Sequence, residues 1–148
     1  MDGTAQGIHS GRSGGGGKAI ERFMKVIGYP DRMSDGGALS TLRVDGIEVL
    51  AEEMDGRLVI SCVLTDSESM LPTLAGYAAG RMLREDAAFT WDPRGHAVLW
   101  QDAAANSDAR ELTRLFETFM NSCDWWRARV DALRGEGEPM PETMVIRP

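Results

Sequence analysis

The stretch Thr41–Thr65, TLRVDGIEVLAEEMDGRLVISCVLT, decides the fold. Two Asp-Gly pairs, Asp45-Gly46 and Asp55-Gly56, interrupt runs rich in β-branched and aliphatic residues. Asp-Gly suits a two-residue hairpin turn, because both central positions need φ > 0. The spacing therefore predicts three antiparallel strands, Thr41–Val44, Ile47–Met54 and Arg57–Thr65. Successive strand side chains point to opposite faces. Ile47, Val49 and Ala51 share one face of the second strand; Leu58, Ile60, Cys62 and Leu64 share one face of the third. The other faces mix Glu48, Glu52, Arg57, Ser61 and Thr65 with Leu50, Met54, Val59 and Val63. A sheet with one side in water is more polar than that. The second face therefore meets something, either a helix of the same chain or a partner.

Upstream, Ile20, Phe23, Met24 and Ile27 follow the i, i+3, i+4, i+7 spacing of one helix face, so a helix is expected from Lys18 to about Gly28, where Gly28 and Pro30 stop it. Downstream, Leu71–Glu85 reads as a helix with Ser69 as its cap and Pro72 in its first turn. Phe89–Asp92 and His96–Asp102 form a further hairpin around Pro93-Arg94-Gly95. Asp108 caps a long last helix, with Glu111 at capping-box spacing. Leu112, Leu115, Phe116, Phe119, Cys123, Trp126, Val130 and Leu133 make its apolar stripe. The order α-β-β-β-α-β-β-α gives an antiparallel sheet in an α+β fold.

Glycine supplies seven of the first 17 residues, and the last 14 hold three Pro, two Gly and three Glu. Neither segment has core-forming periodicity. Met1–Gly17 is expected to be a flexible leader, 18–134 the single folded domain, and Gly135–Pro148 a flexible tail, in which Met144–Ile146 could add a strand.

The 148 residues carry 23 Asp and Glu against 16 Lys and Arg, a net charge of −7. Without clustered cations, nucleic acid and anionic membranes are poor partners. No run of about 18 apolar residues is present for a spanning helix, and no secretory leader is apparent. Two cysteines, Cys62 and Cys123, fall in apolar runs and are expected to be free, buried and at home in a reducing cytoplasm. They are too few for a zinc site.

Chemistry is hard to find. Gly11–Lys18, GRSGGGGK, resembles a phosphate loop, but Arg12 stands where its first Gly is needed and Ala19 where a Ser or Thr would hold magnesium. It is expected to be a linker. His9 and His96 neighbour no nucleophile in sequence, although Cys62 or Cys123 could meet His96 only in the fold. Glu52-Glu53 and Glu85-Asp86 read as solvated surface. Neither a catalytic residue, a cofactor nor a metal is expected, and the chain reads as a non-enzyme.

The middle helix crowds Ala75, Gly76, Ala78, Ala79 and Gly80 together. Each helical Gly costs roughly 1 kcal/mol against Ala, so another backbone comes close, from within the chain or from a second copy. Trp125 lies off the core stripe and reads as a rim-of-core residue or a binding anchor.

Together, the hairpin LRVDGIEV (Leu42–Val49), the strand DGRLVISCVL (Asp55–Leu64), the Leu71-Pro72 helix entry and the closing helix FMNSCDWWRARVDAL (Phe119–Leu133) resemble the class I type III secretion chaperones, the CesT/Tir-chaperone family. The resemblance spans about 18–133. It implies a cytoplasmic bacterial homodimer that binds the N-terminal segment of a secreted effector in extended form. That binding keeps the effector secretion-competent without ATP, and the secretion apparatus is a further partner. It implies a client surface at Phe23, Met24, Leu50, Met54, Val59 and Val63, and a dimer contact at Leu71, Leu74, Ala75, Ala78, Ala79 and Met82. Two features depart from the family: the long glycine-rich leader, and Arg84–Ala88 in place of a glycine-rich connector. The other reading of the same fold is a structural or regulatory adaptor for a folded partner. A small-molecule-binding or catalytic α+β domain comes third.

Overall fold

The computed structural model describes residues 18–29 and 39–137. Leader, phosphate-loop-like stretch up to Gly17, Pro30, His9 and Met144–Ile146 lie outside them. The elements are α1 (Lys18–Ile27), β1 (Leu39–Val44), β2 (Ile47–Met54), β3 (Arg57–Thr65), a 3-10 turn (Glu68–Met70), α2 (Leu71–Arg81), β4 (Ala88–Trp91), β5 (Ala97–Ala104) and α3 (Ala109–Gly137). This is the expected α+β order.

Both Asp-Gly turns form as their chemistry requires. Asp45 and Gly46 sit at φ 51° and 79°, Asp55 and Gly56 at φ 50° and 75°, the positive pair that matches the twist of the flanking strands. The five strands pair antiparallel in the order β1-β2-β3-β5-β4. The register puts Leu50 beside Ser61, Ser61 beside Trp100, and Trp100 beside Ala88.

One face of this sheet is the core. Ile47, Val49, Ala51, Leu58, Ile60, Cys62, Leu64, Ala97 and Leu99 are buried there under α1 and α3. From α3 come Leu112, Leu115, Phe119, Cys123, Trp126 and Val130, and Phe89 of β4 stacks on Trp126 with ring centroids 5.0 Å apart. Each fully buried Leu, Ile or Phe contributes roughly 1.5–3 kcal/mol. The α3 N-terminus is a reciprocal capping box: the Glu111 N–H donates to the Asp108 carboxylate, and the Asp108 N–H donates to Glu111 Oε1, both at 2.9 Å. Arg22 of α1 donates to the carbonyls of Ser107, at 3.0 Å, and Ala105, tying α1 to the approach to α3.

Several boundaries differ from expectation. Helix α2 stops at Arg81 rather than Glu85, and Leu83, inside the expected span, is 87% exposed in the turn that follows. Ser69 does not cap α2; it lies in the 3-10 turn, and the cap position, Met70, has no side-chain cap bond. Helix α3 runs three residues past Arg134, into the expected tail. Strand β1 gains two residues at its start, β5 gains two at its end and loses His96 at its start, and β4 begins one residue earlier and ends one earlier.

Candidate protein-binding surface

The helices pack on one side of the sheet, and among the described residues none covers the other. Alternation therefore leaves a second face built from even positions of β2 and β5 and odd positions of β1 and of β3 up to Val63; beyond it a bulge turns Thr65, expected on this face, to the core beside Ala97. Three rows run across it. Thr41, Leu50, Ser61, Trp100 and Ala88 form the middle row; Leu39, Glu52, Val59 and Asp102 form a second; Val63, Val98 and Thr90 form a third. Val63 is 52% exposed and Leu39 is exposed, while Leu50, Val59, Val98 and Trp100 are half-buried against their neighbours in the sheet. Met54 is exposed at the β2–β3 turn, paired with Arg57. Arg57 donates to Asp102 at 3.1 Å, a solvent-facing ion pair at the rim. The result is an apolar strip with a charged border, the anatomy of a protein-binding patch.

Four of the six residues expected at a client surface thus share one open face: Leu50, Met54, Val59 and Val63. The other two do not. Phe23 is fully buried and Met24 is 4% exposed, and Phe23 meets Phe116 of α3 edge to face with centroids 6.0 Å apart. The stripe of α1 is used up in covering the core, so Phe23 and Met24 are core residues, not surface. Two residues outside that set join the four: Trp100 and Val98 share parity along β5, and the register of β5 against β3 places them on this face.

The residues expected at a dimer contact also divide. Leu74 is fully buried and Ala78 nearly so, both turned toward the core, and Leu71 packs against it; the first two are not available to a second copy. Ala75, Ala79 and Met82 are exposed, beside Gly76, Tyr77 and Gly80. A methyl group placed on Gly76 or Gly80 would meet nothing within 4 Å. Packing within the described chain therefore gives no reason for two glycines in the middle of a helix. Trp125 belongs to the rim of the core: it meets Tyr77 at 6.1 Å and Trp126 at 5.2 Å, with the Arg81 and Arg129 guanidiniums 3.9 and 4.7 Å from its ring centre. It clamps α2 to α3 and floors a hollow of about 330 Å³ beside Gly80, Arg81 and Arg84.

Little else has chemical character. Among the described residues no three His, Cys, Asp or Glu side chains gather as a metal site, and no helix is long and apolar enough to cross a membrane. His96 Nδ1 stands 3.4 Å from Asp92, whereas Cys62 is paired with Cys123, so the Cys–His pairing does not form. Hydrogen bonds from the His96 and Arg94 backbone N–H groups hold the Asp92 carboxyl below its usual range. Glu85 is tied to Arg81 and Ser122, a structural use.

The chain matches no protein-family model and no curated protein sequence. Solved structures do share its fold. The ExsC–ExsE complex aligns with a TM-score of 0.58 at 17% identity, over 76% of this chain and 90% of that one. The HopA1–SchA chaperone–effector complex aligns with a TM-score of 0.59 at 14% identity, over 75% and 91%. The Yersinia pestis type III secretion chaperone SycH, solved with a fragment of YscM2, aligns with a TM-score of 0.53 at 14% identity, over 75% and 98%. At these identities the likeness is one of fold: an antiparallel sheet flanked by helices, as in type III secretion chaperones.

Proposed function

We propose that this chain is a non-enzymatic type III secretion chaperone, acting in the bacterial cytoplasm as a homodimer. It binds the N-terminal segment of a secreted effector in extended form, without ATP, and keeps it secretion-competent for the secretion apparatus. The observation that carries the reading is the open sheet face: an apolar strip of Leu50, Val59, Val63, Val98 and Trp100, on a fold shared with solved chaperone–effector complexes. An extended segment suits it physically. Strand side chains on one side repeat about every 7 Å, and neighbouring strands stand about 4.8 Å apart, so a chain crossing the rows can set successive apolar side chains between them.

The homodimer is supported by α2. Its exposed small residues leave room for a second backbone, and each glycine there costs helix stability that nothing inside the described chain recovers. The acidic balance of the chain, net −7, keeps such a protein soluble while it carries an apolar strip.

The test is affinity purification of the tagged chain from its native host, with partners identified by mass spectrometry and the bound region mapped by hydrogen exchange. The expected partner is a secreted protein, protected over an N-terminal segment that is unstructured when free, and retained whether or not ATP is added. A partner bound as an intact folded domain would favour the adaptor reading instead.

A further inference from the structure

The chain has two cysteines, and the fold brings them together. Cys62 on β3 and Cys123 on α3 place their sulfurs 3.4 Å apart, 61 residues apart in sequence. Both are free and buried, at 4% and 0% exposure. The contact spans the seam between sheet and long helix, at the centre of the core. A disulfide has an S–S length of about 2.05 Å, so bonding asks the two sulfurs to approach by a little over an ångström.

We infer that Cys62 and Cys123 are a modification site, closing to an intramolecular disulfide when the chain meets a two-electron thiol oxidant such as a peroxide. The shared S–H···S hydrogen bond draws the Cys62 thiol below its ordinary value, aided by the positive charge of Arg127, and pushes the Cys123 thiol above it, as burial also does. Either sulfur can be the donor in that contact, so with Cys62 taken as the attacking thiolate the steps balance as they do with the two cysteines exchanged. The Cys62 sulfur attacks one peroxide oxygen, the O–O bond breaks, and hydrogen peroxide leaves a sulfenic acid on Cys62 and one water. The Cys123 sulfur then attacks the Cys62 sulfur. The S–O bond breaks, and the departing hydroxide takes the Cys123 proton as a second water. Two thiols are oxidised and one peroxide is reduced. Burial admits peroxide only during local opening of the seam, so the reaction is slow relative to that of exposed thiols.

The bond would pin β3, the strand that carries Val59 and Val63 on the open face, to the helix behind it. The inference does not depend on the proposed function. It is tested on the full chain treated with hydrogen peroxide, denatured, alkylated with iodoacetamide and weighed intact. The expected product has lost two hydrogens, takes up no alkyl group, and yields a Cys62–Cys123 cross-linked peptide. Its melting temperature rises by several degrees, since a closed loop of this length restricts the unfolded chain, and dithiothreitol reverses both changes. Cys62→Ala and Cys123→Ala each abolish the cross-linked peptide; the wild-type mass decides the matter even if either variant folds poorly. Two alkylatable thiols after oxidation, a sulfinic or sulfonic acid, a link between two copies, or a lowered melting temperature would each overturn it.

Discussion

Val63 and Val98 are cross-strand partners on the sheet face that the helices leave open. One comes from the hairpin segment Thr41–Thr65, the other from the hairpin some 30 residues on, and only the β3–β5 pairing unites them. Trp100 stands next to them in β5, across from Ser61. Its position gives the first prediction. Trp100→Ala should leave the fold intact at a cost of no more than about 2 kcal/mol, since the residue is only half-buried, and should weaken client binding by about 2 kcal/mol or more, as central aromatic anchors do. Trp126→Ala, which empties a core site, should cost about 3–5 kcal/mol of stability. Thermal melting and titration with the client's N-terminal segment measure both.

How far these features were legible follows from the physics of each. The Asp-Gly turns were readable because their backbone demands are local, and they fixed three strands and the faces of two. The α1 stripe was readable as a stripe, but periodicity does not say what it faces. The resemblance implies a client role for Phe23 and Met24, but the core takes both. Trp100 and Val98 become a site only through the register of β5 against β3, a long-range pairing with no local signal. The end of α2 at Arg81 has no local marker, since neither Gly nor Pro stands between Arg81 and Glu85, and the expected span overshoots it.

A second prediction concerns assembly. Light scattering during size-exclusion chromatography should give twice the chain mass of 16.2 kDa at micromolar concentration. Gly76→Leu with Gly80→Leu should produce a folded monomer. In a chain that acts alone the same changes would meet open space and, by removing helical glycine, would raise stability by about 1 kcal/mol each without altering the mass.

The phosphate-loop-like stretch is followed by Ala19, the first buried residue of α1, whose N–H donates to Glu53 Oε1 at 3.3 Å. Ala19 carries no hydroxyl to hold magnesium. Calorimetric titration with ATP and magnesium should show no saturable heat; micromolar binding would overturn the linker reading.

The described core lies between Ala19 and Val130. A fragment of residues 18–137 should therefore keep the circular dichroism spectrum of the full chain and melt cooperatively within a few degrees of it. Loss of cooperative melting would assign one of the terminal segments to the core.

The open face itself is tested most directly by Leu50→Glu combined with Val63→Glu. On a face that water reaches, both carboxylates stay hydrated, and the variant should melt within a few degrees of the wild type and remain dimeric. A client laying apolar side chains there must desolvate two charges without partners, which costs several kcal/mol, so capture of the effector segment should be lost. Melting and pull-down are measured on the same preparation. A folded variant that no longer holds its client is the predicted result. A folded variant that still binds would place the site elsewhere, and a variant that cannot fold would mean that the face is covered.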